Sequence, residues 1–357
     1  MRVFFPANYY WLIICEWYCS KSIHMNSTSR VIKTLRVLLF LFAFTLYLLL
    51  MQSCKKEVKN SGNNDNSGGA ATTCTAVKSS AENIALFPAD NAWNKDISTE
   101  PSDPYSNQII AGFSTVGIKA DFGSGLWEGA PIGIPYVVVC GMQSKIPVLF
   151  TDYGDESDAG PYAIPLTAPI EGNGVGDAHA IAVDAENKIL YELFNAQVVD
   201  GKWQASSGAI FDLTSNALRP AGWTSADAAG LPIFPGLVRY EEIIKGSIDH
   251  PLRFTLSSSL IKPAYIHPAR HKVNSTGDQY SLPFGARIRL KANVDISSYS
   301  ATNQVILKAM KKYGLILADI GSNMYVSGAP DERWNNDDLR KLAQLKGADF
   351  EVVKFNN

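Results

Sequence analysis

The chain has 357 residues, of which 46% are apolar and 18% charged, and a formal charge of −2. That apolar share supplies a sizeable core and excludes a disordered or fibrous protein. A mildly acidic chain without a basic run excludes nucleic acid as a partner.

Chemistry begins at the N-terminus. After Arg30, Lys33 and Arg36 comes VLLFLFAFTLYLLLM (37–51), apolar apart from Thr45. A short basic stretch before such a core is the pattern of a secretory signal, and it falls short of the roughly 20 residues of a spanning helix. The run ends in Met51-Gln52-Ser53-Cys54, which resembles the lipobox of bacterial lipoproteins, although Met51 and Gln52 are not its commonest residues. The expectation is a cleaved signal region (1–53), lipidation at Cys54, and anchoring in the bacterial cell envelope, at the outer membrane. Met25 opens a well-formed signal, so the first 24 residues read as an upstream extension. Cleavage before Cys54 removes five basic residues (Arg2, Lys21, Arg30, Lys33, Arg36) and one acid (Glu16), which leaves a charge of −6. In an oxidising envelope Cys74 and Cys140 could pair. No Cys-x-x-Cys is present, which argues against a zinc ribbon or redox motif.

Residues 55–83 are rich in Asn, Gly and Ser and nearly free of large apolar side chains, so with Cys54 they form a tether (54–83). A single β-rich domain is expected over 84–357. Strands are predicted at 134–140, 145–153, 179–184, 188–199, 208–213, 252–256 and 286–291, each short and bounded by turn formers. Asp184 to Asn187 carry a hairpin signal. In AHAIAVD, His179, Ile181 and Val183 share one face and alanines the other. Helices are predicted late, at 238–246, 303–314 and 335–347, the last two closed by Gly314 and Gly347. The fold class is therefore mainly β, an antiparallel sandwich or jelly roll with a few flanking helices in the C-terminal third.

The polar residues are concentrated. HPARH (267–271) holds two histidines, but Pro268 forces His267 out of helical geometry, which removes the helical zinc-ligand pattern. The alternatives are a loop-borne metal with Asp177 and His179 and a polar turn between LRFTL and ARIRLK; the expectation is a site without metal or cofactor. Glu192 lies in LYELF among large apolar residues, where burial would raise its pKa and suit it to donate a proton. Hydrolysis of a glycosidic bond needs two flanking carboxyl groups, and Glu192, Asp212 and Glu242 are the candidates. His179, His250 and His271 join them as catalytic candidates, with Arg219, Trp223, Arg239, Tyr265, His267 and Arg270 as substrate-binding candidates. Elimination on a uronic-acid polymer would instead use Tyr265, His267 or His271 as base and Arg270 to neutralise the carboxylate. Two of these acids have a structural alternative: Glu192 on a solvent face, and Glu242 in an ion pair with Arg239. Trp93, Trp127, Trp203, Trp223 and Trp334 sit beside loop residues, where indoles serve as sugar platforms or as core. G-x-S-x-G is absent, which disfavours an α/β-hydrolase esterase, and GNGVGD (172–177) lacks the spacing and preceding strand of a dinucleotide site.

The segment SGAIFDLTSNALRPAGWTSADAAGLPIFPGLVRYEEIIKGSIDHPLRFT (207–255), with FPADNAWN, GDAH, HPARH, DIGSNMYVSG and PDERW, resembles a family of uncharacterised secreted bacterial proteins. The resemblance runs from about residue 85 to the end. It implies secretion and a glycan context and supplies no catalytic assignment. The sequence thus leads to a lipid-anchored envelope enzyme that cleaves an extracellular polysaccharide, by glycoside hydrolysis before lyase chemistry, with a non-catalytic glycan-binding lipoprotein as the alternative.

Overall fold

The computed structural model describes residues 85–355. The signal run, Cys54, the tether and Cys74 lie outside them. Cys140 is disulfide-bonded, and Cys74, which could pair with it, lies outside the described residues.

The described residues are mostly β, with strands in five sheets and few helices. The largest sheet orders its strands Lys119–Asp121, Tyr325–Ser327, Leu252–Leu256, Leu315–Ile320, Arg287–Leu290 and Phe350–Val352. It is mixed rather than antiparallel: Leu252–Leu256 runs parallel to Leu315–Ile320, and Lys119–Asp121 parallel to Tyr325–Ser327. Parallel neighbours need a long crossover, and the helix Ala301–Lys312 lies within the one that precedes Leu315. Ser300 caps that helix through Asn303 N, and Ile306, Leu307 and Met310 bury its inner stripe. Gly314 follows it at φ 75°, where a Cβ would meet the Ile288 carbonyl at 2.5 Å.

A four-stranded sheet holds Ser207–Asp212, Ile189–Phe194, Ala180–Asp184 and Val137–Val139 in that order. The hairpin turn at Asp184 forms as expected, with Asp184 Oδ1 accepting from Asn187 N at 2.9 Å. Both faces of Ala180–Asp184 are buried. Ile181 and Val183 enter a core shared with the six-stranded sheet, and Ala180 and Ala182 enter a second core with Tyr162, Tyr191 and Trp203. The alanine face is therefore not a solvent face. It is small because a further layer of strands, Val148–Phe150, Lys202–Ala205 and Gln197–Val199, accompanies that second core.

One helical expectation changes in extent and one helix was not expected. The stretch 335–347 folds as a short helix, Asn336–Leu339, which Asn335 caps through Asp338 N, followed by a 3-10 turn, Arg340–Gln344. A helix at Ser106–Ala111, outside the C-terminal third, carried no strong sequence pattern. Among the described residues no helix is long and apolar enough to cross a membrane.

Candidate active site

The richest polar cluster lies where the ends of several strands meet. The strand Ala180–Asp184 is entered through Asp177-Ala178-His179, and Ala178 adopts φ 48°. A left-handed alanine is strained, and strain of this kind gathers at functional sites. Across it Asp177 stands exposed while His179 is buried.

Both ring nitrogens of His179 face acceptors, Glu171 Oε2 at 2.5 Å from Nδ1 and the Ala226 carbonyl at 2.9 Å from Nε2. That arrangement suits an imidazolium. Burial opposes the charge, but the Glu171 carboxylate outweighs it and holds the His179 pKa up to about 9. Glu171 in turn is kept below its ordinary value: burial pushes its pKa up, and His179 more than reverses that push. The His179 share of the pair's stabilisation is present below about pH 6.5 and lost as pH rises through about 9, whereas the Glu171 share is present above about pH 4.5 and lost as pH falls below it.

Beside them Arg253, from the middle of Leu252–Leu256, meets Asp227 Oδ2 through Nη2 at 2.9 Å and Nε at 3.2 Å. Its Nη1 donates to Ser327 Oγ at 2.8 Å, and Asp319 Oδ2 is 3.7 Å from Nη2. Asp227 Oδ1 accepts from Ala229 N at 3.0 Å. Asp319 owes its position to a bulge: Phe254 pairs with Leu317 but Thr255 with Asp319, so Ala318 is passed over. Such bulges re-aim side chains. Withdrawal from water, then the Asp227 charge, holds Asp319 well above the ordinary carboxylate range, although Arg253 pulls the other way. Asp121, at the end of Lys119–Asp121, is also raised, by desolvation first and then by Glu171.

Asp177, Asp227, Asp319, His271, Tyr153 and Ser207 line one cavity of about 200 Å³. The strand Gly208 side carries no nucleophile elbow; Ser207 Oγ donates to the Ser225 carbonyl at 2.7 Å. Among the described residues no group of three or more His, Cys, Asp or Glu is placed to hold a metal ion.

The other candidates fall into separate places. Glu192 is fully buried and does not line the cavity; its carboxylate accepts from Ile233 N and Phe234 N at 2.8–2.9 Å and closes that turn. Burial lifts its pKa to about 7. The proton it holds in the fold stabilises the protein below about pH 4.5, a contribution lost as pH rises through about 7. Replacing Glu192 by Gln should therefore flatten the decline in melting temperature across that window, as melts at pH 5 and pH 8 would read. Asp212 is exposed and bonds Thr214 in its own turn. Glu242, Arg239 and His250 form a buried trio: Glu242 Oε1 is 2.7 Å from Arg239 Nη2 and 2.8 Å from His250 Nε2. That trio sits at the helix Tyr240–Lys245, away from the acidic cavity.

HPARH divides. His271 faces the acidic cavity, with Nδ1 2.8 Å from the Ala228 carbonyl. His267, Arg270 and Arg219 line another cavity, of about 180 Å³. Arg219 is buried and tied to Asp158, to the Glu156 carbonyl at 2.8 Å and to the Thr224 carbonyl at 2.7 Å, with Trp223 stacked 5.7 Å from its guanidinium carbon. Tyr265 ends the strand Ile261–Tyr265, half-buried. Among the tryptophans Trp93, Trp203 and Trp334 are core, whereas Trp127 is 71% exposed. The sequence reasoning missed Glu171, Arg253 and Asp319. An arginine inside LRFTL and an aspartate inside LILADIG, charges set in apolar strands, were the available signals.

Compared with family models, curated proteins and solved structures, the chain finds no match.

Proposed function

We propose that the chain is a lipid-anchored envelope glycoside hydrolase acting on an extracellular polysaccharide at the acidic cavity. One observation carries the reading: Asp319, a carboxyl held above its ordinary pKa, shares a cavity with the exposed carboxylate Asp177. Pairs of acids whose environments differ divide into a proton donor and a base or nucleophile. Asp319 then protonates the departing glycosidic oxygen, and Asp177 activates water or attacks the anomeric carbon. Elimination fits less well, because Arg253, the arginine at this site, already faces Asp227 and Asp319. The exposed Trp127 favours a second reading, glycan binding without cleavage. Its strand pairs with Ala130–Pro131, and Gly129 between them takes a hydrogen bond from Asn173, in the loop that leads to Asp177.

Purified full-length protein in detergent, incubated with a panel of neutral and acidic polysaccharides, should release new reducing ends without unsaturated products. Unsaturated ends would establish elimination. Binding with no new ends would establish the non-catalytic reading. Anchoring has its own test: Cys54→Ala should move the protein from the membrane fraction to the soluble one and abolish incorporation of labelled palmitate.

A further inference from the structure

Beside the cavity lined by Arg270 and Arg219 lies a third, of about 290 Å³, lined by Arg287, His267, Lys95, Lys354 and Glu100. Its one acid is engaged, since Glu100 Oε1 is 2.7 Å from Lys95 Nζ at the exposed rim. Arg287 is the unusual member. One end of its guanidinium donates to the Ala92 carbonyl, while Nη1 is buried with no hydrogen-bond partner. Among the described residues no carboxylate pairs with Arg287 or Lys354. Arginines withdrawn from water ordinarily have a counter-ion, because an unpaired buried charge is costly. Burial pulls the Arg287 pKa down to about 10, and the His267 pKa is lowered by desolvation and then by Arg287 and Arg270. Both responses describe a place that is short of negative charge.

We infer that this cavity is an oxyanion-binding site in which Arg287, His267 and Lys354 receive a carboxylate or sulfate group. Arginine forks suit such planar or tetrahedral oxygens. The site stands on its own geometry; only the identity of the carrier, an acidic substituent on a polysaccharide, rests on the glycan reading above. The cavity adjoins the one lined by Arg270 and Arg219, with Ala92, His267 and Pro268 common to both, so a bound anion would have further cations alongside.

The test titrates full-length protein in detergent with sodium glucuronate, sodium sulfate and glucose at matched ionic strength, following calorimetric binding and melting temperature. Saturable binding of glucuronate or sulfate, with none for glucose, is expected. Glucuronate alone would assign a uronate carboxylate, and sulfate alone a sulfate ester. Arg287→Gln should weaken binding at least about tenfold, as for loss of a charge-assisted hydrogen bond. Its melting temperature without anion should hold or rise, because the unpaired charge is gone. Lys354→Gln, at an exposed position, should weaken binding without touching the fold and decides the matter if Arg287→Gln does not fold. No saturable binding of either anion, or binding undiminished in the variants, would overturn the inference. Cleavage of a neutral polysaccharide without anion binding would sink this site and leave the hydrolase reading intact. Anion binding without any cleavage would do the reverse.

Discussion

Replacing Arg253 by Met should cost about 3–5 kcal/mol of stability, the loss expected when one partner of a buried ion pair is removed. The variant leaves Asp227, wholly buried, facing Asp319 with no cation between them. Two such carboxyls cannot both stay ionised, so each binds protons more tightly in the fold than in the unfolded chain. The deficit should therefore be larger at pH 8 than at pH 5, because the stabilising proton is lost as pH rises. Adding Asp227→Asn removes the stranded charge and should recover part of the loss. Chemical denaturation at the two pH values would measure all of this; a deficit independent of pH would mean that lost packing outweighs charge.

Asp319→Asn should reduce polysaccharide cleavage by at least about a hundredfold, the usual contribution of a general acid. Its effect on stability should have the opposite sign. A carboxyl whose pKa is raised in the fold stabilises the protein below its unfolded value of 3.8 and loses that contribution as pH climbs. The amide can still accept from Ile320 N, which Oδ1 now does at 2.7 Å, and it leaves the Asp227–Arg253 pair in place. Near pH 8 the melting temperature should hold or rise while activity disappears. An equal fall in both would make Asp319 a structural residue, and full activity would remove it from the chemistry.

Several strand positions were legible because local patterning dictates them, although the stretch read as one strand at 188–199 breaks at Asn195 into Ile189–Phe194 and Gln197–Val199, in different sheets. Leu252–Leu256 and the Asp184 hairpin lie where alternation and turn residues placed them. The parallel pairings were not, since alternation describes one strand's faces and says nothing of its neighbour's direction. At the site, Asp177 and His271 were visible as polar residues in loops and His179 at the start of a strand, and the structure gathers Asp177 and His271 at one cavity with His179 beneath it. Glu192 attracted notice for its apolar neighbours, and its burial is real, but burial alone does not tell a proton donor from a carboxylate that closes a turn. Asp319 and Arg253 escaped because their roles arise from a bulge and a long-range pair that only the assembled sheet creates.

The strand order of the six-stranded sheet also bears on when the molecule becomes a protein with a site. Lys119–Asp121 finds its partner only in Tyr325–Ser327, and Arg287–Leu290 borders Phe350–Val352, almost the last described residues. Contacts of such long sequence separation form slowly, because loop-closure entropy is lost before they reward it. Asp177, Asp227, Arg253 and Asp319 come together only across that same sheet and its neighbour, so a chain truncated before Leu315 holds neither the sheet's central pairing nor the acid set. During synthesis the N-terminal half is therefore made before the acid set can assemble.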